Sequence, residues 1–143
     1  MRRILVASDG SESAGRAVDA AADLASELKA ELWIVNMIDG LPDGVVERLA
    51  RHEQSSIGDA LNAVADRILM EARERARKRG AAMVQLKSRS GDCAEGILQT
   101  AQEIGADLIF VGRRGRSRLQ GLLIGSVSQK LASLAPCIVA IVP

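Results

Sequence analysis

Leu108-Ile109-Phe110-Val111-Gly112-Arg113-Arg114-Gly115 is an apolar run that ends in a basic loop punctuated by glycine. Nine further residues lead to Gly125-Ser126, where a helical pattern begins. Four consecutive apolar residues bounded by turn signals read as a buried strand. Glycines let a backbone approach a bulky anion, and a helix start offers free N–H groups at the positive end of its dipole. A strand, a glycine loop and a helix start, in that order, form a phosphate cradle.

The rest of the chain alternates strand-like and helical patterns, the signature of an α/β fold with a mainly parallel sheet. Further strands are predicted from Arg3 to Ser8, Glu31 to Met37, Met83 to Ser88 and Cys137 to Val142. A helix from near Ser13 carries Ala14, Ala17, Val18, Ala21, Leu24, Ala25 and Leu28 on one stripe. A longer helix runs from about Asp59 to Lys78, with Leu61, Val64, Ile68, Ala72 and Arg75 near one face. Its basic end, Arg73 to Arg79, suits the negative pole of the dipole, and Gly80 stops it. Asp92 caps the next helix with Glu95 three residues on, a capping-box arrangement. The last helix spans Ser126 to about Leu134. Leu41-Pro42-Asp43-Gly44 reads as a turn, and the segment up to Gly58 as an extra short helix or a mobile excursion.

Strand composition constrains the order. Ile4 to Ala7 and Leu108 to Val111 are continuously apolar and belong in the middle, whereas Met83 to Ser88 partly alternates, as at an edge. The final strand, Cys137 to Val142, is also continuously apolar. In the order 3-2-1-4-5 it becomes a bare edge, which proteins avoid or cover. The cover expected is the same strand of a second subunit about a two-fold axis. The alternative is that this strand lies inside the monomer's own sheet.

Composition narrows the function. A chain of 143 residues is expected to form a single domain over 1–143, with 48% apolar and 26% charged residues. No apolar run approaches the roughly 20 residues of a membrane span, and no secretory leader is expected. Cys93 and Cys137 make no disulfide scaffold, which fits a reducing cytoplasm. A formal charge of +1 and 1% aromatic residues argue against nucleic-acid or membrane-surface partners. One histidine, His52, leaves little material for a histidine metal site or a serine–histidine triad.

Asp9 ends the first strand, followed by Gly10-Ser11. In open parallel sheets ligands bind outside the strand ends where the strand order reverses. The first and fourth strands flank that point, so Asp9 and the Gly112 loop are expected to face one crevice. Asp9 reads either as a ligand carboxylate or as a helix cap or turn residue for the next helix.

The Walker pattern is absent, and Ser8-Asp9-Gly10-Ser11 replaces the dinucleotide-binding G-x-G-x-x-G. The spacing present is Gly112-x2-Gly115-x9-Gly125-Ser126, which resembles the G-x2-G-x9-G-[ST] motif of the universal stress protein family. Ile4 to Ser11, Gly91 to Ile97 and Leu123 to Ser128 are similar to that family as well, so the resemblance covers essentially the whole chain. It implies an open five-stranded parallel sheet in the order 3-2-1-4-5 with helices on both faces, the Rossmann-like fold of adenine nucleotide alpha hydrolases. It implies dimerisation through the last strand. The implied ligand is ATP, or AMP or cyclic AMP, with magnesium or manganese as an accompanying ion. By the same resemblance Asp9 lies near ribose and adenine, Ala7 and Met37 lie beside the base, and Val111 lies on its other side. Gly112 and Gly115 lie under ribose and α-phosphate, and Gly125, Ser126 and Val127 form the phosphate-binding helix start. Ser126 is also a natural N-cap.

This chain departs from the family pattern at Asn36, where histidine is common, and at Met37, which replaces a β-branched residue. Cys93 stands where proline is common, and Arg113 where a small polar residue is. Arg113, Arg114, Arg116 and Arg118 crowd the loop, either clamping phosphates or simply solvated, and Arg114 is counted with the binding residues. Cys93 is expected to be an inert small residue, Cys137 buried packing, His52 exposed, and Trp33 and Phe110 core. No general base stands out. The expected role is a nucleotide-binding stress or signalling module with an unidentified protein partner. The alternatives are a slow ATPase or phosphotransfer enzyme, and a nucleotide-free dimeric interaction protein.

Overall fold

The computed structural model describes residues 1–38, 57–115 and 124–143. The readings of the 39–56 segment, of His52 and of Arg116 and Arg118 lie outside the described residues. The described elements are β1 (Arg3–Ala7), α1 (Glu12–Leu28), β2 (Glu31–Met37), α2 (Ile57–Lys78) and β3 (Val84–Arg89). They continue with α3 (Cys93–Ile104), β4 (Leu108–Gly112), α4 (Ser126–Leu134) and β5 (Ile138–Val142).

The sheet has five strands in the order β3-β2-β1-β4-β5, and every pairing is parallel. This is the expected order. Ile4 of β1 stands between Leu32 of β2 and Leu108 of β4. Because side chains alternate across a strand, β1 feeds two cores. Ile4 and Val6 join Leu32, Ile34, Leu108 and Phe110 beneath α1 and α2. Leu5 joins Val35, Ile109 and Val111 beneath α3 and α4. Burial on both faces is why β1 and β4 read as unbroken apolar runs. Each such side chain removed from water contributes about 1.5–3 kcal/mol.

The α1–α2 contact is locked by charge. Arg75 donates from Nε and Nη2 to the two carboxylate oxygens of Asp19, at 2.6 Å each. Gly15 leaves room for that guanidinium, since a Cβ there would lie 2.7 Å from Nη1. Arg75 is therefore a surface clamp rather than part of the apolar face the periodicity gave it.

β5 stands at the sheet edge beside β4, with Ile138 61% exposed, which overturns the reading of this strand as interior. α1 starts at Glu12, capped by Ser11, whose hydroxyl accepts from the Ala14 N–H at 3.2 Å. Asp9 is not that cap. Phe110 is buried as expected, but Trp33 is only half-buried and packs against the α3 and α4 side. Cys137 is half-buried, and burial pushes its thiol up from the ordinary value.

Candidate functional site

The site is built where β1 and β4 end side by side. The Ser8 N–H still pairs with the Val35 carbonyl at 2.9 Å, and the chain then turns through Gly10 at a φ of +80°. Only glycine adopts that backbone without cost. The Ser8 hydroxyl accepts from the Gly10 N–H, and Asp9 Oδ1 accepts from the Ser11 N–H at 2.9 Å. From below, the fully buried Asn36 donates from Nδ2 to the Ser8 carbonyl at 2.8 Å. The residue that departs from the family's histidine thus pins the turn that carries Asp9.

Opposite lies the glycine loop. Its three motif glycines, Gly112, Gly115 and Gly125, are needed for three different reasons. A Cβ on Gly112 would lie 2.9 Å from Ser13 C and 3.0 Å from Ala14 N, so this glycine admits the first turn of α1 against β4. A Cβ on Gly125 would lie 3.2 Å from the Arg113 carbonyl oxygen, to which the Gly125 N–H itself donates at 2.7 Å. A Cβ on Gly115 would lie 2.9 Å from Asp9 Oδ2. Gly115 and Asp9 therefore face each other across the crevice.

α4 begins without a side-chain cap. Gly125 is its N-cap, so Ser126 is the first helical residue, correcting its reading as the cap. Ser126 is exposed, and its hydroxyl makes no hydrogen bond to another described residue. Ser126 lines the crevice, and the first N–H groups of α4, which have no partner within the helix, open beside it. Ser128, one turn in, donates to the Gly112 carbonyl at 2.7 Å and ties the helix to the loop.

Between these parts lies a cavity of about 260 Å³, near the lower end of the roughly 300–1,000 Å³ of small-molecule sites. Ala7, Asp9, Met37, Val111, Gly112, Arg114, Gly115, Gly125, Ser126 and Val127, the ten residues named from the sequence, all line it. Its walls are unequal. β2 and α3 supply an apolar side of Val35, Met37, Cys93 and Ile97. The turn after β1, the loop after β4 and the start of α4 supply Asp9, Ser11, Arg114, Ser126 and Ser128. A ligand with a flat apolar end and an anionic end matches both.

Val35 follows from Met37 by the two-residue strand period, and Ile97 sits on the buried face of α3. Sequence reasoning passed over both. Arg113 is absent from the lining: its N–H and carbonyl are used by Val142 and Gly125. Among the described residues no group of three or more His, Cys, Asp or Glu could hold a metal ion, and no helix is long and apolar enough to cross a membrane.

The model of the universal stress protein family matches residues 1–143. The chain belongs to this family. The universal stress protein YxiE of Bacillus subtilis (strain 168) is 36% identical over 146 residues, covering 98% of this chain and 97% of its own. A universal stress protein solved in complex with cAMP is 31% identical, with a TM-score of 0.75 over 99% of this chain and 95% of its own. The universal stress protein UspA from Lactobacillus plantarum shares the fold, with a TM-score of 0.79 at 21% identity over 99% of this chain and 97% of its own.

Proposed function

We propose that this universal stress protein binds an adenine nucleotide, ATP first among them with AMP and cyclic AMP as alternatives, and acts as a dimeric stress-response or signalling module. The observation that carries this reading is the two-ended cavity at the switch point, lined by the whole predicted constellation. Its support outside this chain is the cAMP complex of a relative 31% identical. The base enters the apolar side between Met37, Ala7 and Val111. Asp9 accepts from the ribose, Gly115 leaves room for sugar and α-phosphate, and the N–H groups at the start of α4 with the Ser126 hydroxyl hold phosphate oxygens. Arg114 supplies the charge at the anionic end. Asp9 is the carboxylate that lines the cavity among the described residues, so a magnesium or manganese ion would be held largely by the triphosphate itself.

Dimerisation is the second part of the proposal. Ile138 and Leu134 are 61% and 66% exposed, and β5 ends the sheet. A second copy pairing its own β5 about a two-fold axis covers both.

Nucleotide released by denaturing freshly purified protein, read by absorbance and mass, tests the first part. Co-purified or added ATP, AMP or cyclic AMP that raises the melting temperature supports it, and a protein that is empty and indifferent to all three refutes it. Multiple turnover of ATP would instead favour an enzyme. Light scattering that gives the monomer mass would remove the dimer.

A further inference from the structure

Met37 is buried to 5% exposure and lines the cavity, yet its thioether is directed at α3. A Cβ on Gly96 would lie 2.6 Å from Met37 Sδ and closer still to Cε. The end of the methionine therefore occupies the volume that any other residue at position 96 would need. Gly96 is a mid-helix glycine without a positive φ, and a Gly in a helix interior costs about 1 kcal/mol relative to Ala. Helix formation does not ask for glycine at this position. The contact with Met37 does.

We propose that Met37 and Gly96 work as one unit that sets the depth of the cavity's apolar side, making Gly96 a specificity-determining residue that touches no ligand. This rests on the reading of the cavity as a nucleotide site. A long thioether on β2 would fill the space meant for a flat ring unless it had somewhere to go. The missing side chain of Gly96 is that space. Methionine suits the arrangement because its unbranched chain folds back where a β-branched residue would not. With a Cβ at position 96 the end of the thioether must retreat by about 1–2 Å to restore ordinary contact. The atoms that give way are the far end of a flexible side chain, so the helix stays and the thioether swings. The side chain is already packed by α3 on one flank, and the open flank is the cavity.

The test is AMP titration by calorimetry on wild type, Gly96→Ala, Met37→Val and the double variant, with thermal melts of each. Gly96→Ala is expected to melt within a few degrees of wild type, or above it, while weakening AMP about tenfold or more. With the thioether already removed by Met37→Val, adding Gly96→Ala should change AMP affinity by no more than about threefold relative to Met37→Val alone. Wild-type affinity in Gly96→Ala, or a loss of about tenfold from Gly96→Ala in the Met37→Val background as well, overturns the inference while leaving nucleotide binding in place. Collapse of the fold in Gly96→Ala overturns it too, because the helix and not the thioether would then have yielded. If wild type itself binds no adenine nucleotide, the functional reading fails first and this inference falls with it.

Discussion

Replacing Gly112 and Gly115 separately by alanine should separate two roles that the motif merges. At Gly112 the new Cβ meets Ser13 C at 2.9 Å and Ala14 N at 3.0 Å. Both are backbone atoms of α1, so relief requires the helix to move away from β4. Overpacking of this kind costs about 1–3 kcal/mol. The lost freedom of the unfolded chain offsets about 0.4–1 kcal/mol of that, leaving about 1–2 kcal/mol net. At about 2–4 °C per kcal/mol for a chain of this size, the melting temperature should fall by about 2–8 °C.

At Gly115 the only close atom among the described residues is Asp9 Oδ2, the end of a side chain that can turn, and the backbone has no positive φ. Gly115→Ala should hold stability to within about 0.5 kcal/mol. It should instead weaken AMP binding by pushing the Asp9 carboxylate off its place. Urea unfolding followed by circular dichroism and AMP titration on the same preparations give both quantities. The reasoning is refuted if Gly112→Ala is as stable as wild type, or if Gly115→Ala loses as much stability as Gly112→Ala.

Two further predictions concern charge. The Asp19 carboxyl is held below its ordinary value, first by its hydrogen bond to Arg75, against the opposing effect of burial, and then by the charges of Arg75 and Arg79. A lowered folded-state pKa means stability that is present above the unfolded value and lost as pH falls through the folded one. Wild type should therefore lose more stability between about pH 4 and pH 2 than Asp19→Asn does. With Arg75 48% exposed, Asp19→Asn should cost about 1 kcal/mol at neutral pH; parallel pH curves for the two proteins would contradict the clamp. Lys87 and Arg89 on β3 both bond to Glu103 on α3, lowering its pKa to about 2. Carbon-detected NMR titration should find that midpoint, and Lys87→Met with Arg89→Gln should return it toward 4.5.

The fold was readable in the chain because each strand's exposure follows from its place in the sheet. β1 and β4 are buried on both faces and carry no alternation, while β3 at one edge has no fully buried residue. β5 breaks that rule, and its apolar edge is the reason a second copy is proposed. The residues that line the cavity were readable because the turn after β1 and the loop after β4 must meet once those two strands pair. What escaped are the contacts between residues far apart in the chain. Asp19 and Arg75 lie 56 positions apart, and no local pattern joins them. Asn36 looked like a departure from a family histidine, yet it holds the Ser8 carbonyl 28 positions away. The same holds for the glycines. A motif reads Gly112, Gly115 and Gly125 as one phosphate device, but what a Cβ would strike is α1 for the first, Asp9 for the second and the Arg113 carbonyl for the third. The steric requirement for glycine at position 112 would persist if the cavity never held a ligand. Gly115 is the motif glycine whose replacement bears on ligand binding without first disturbing the packing of a helix, so its alanine variant carries the functional question.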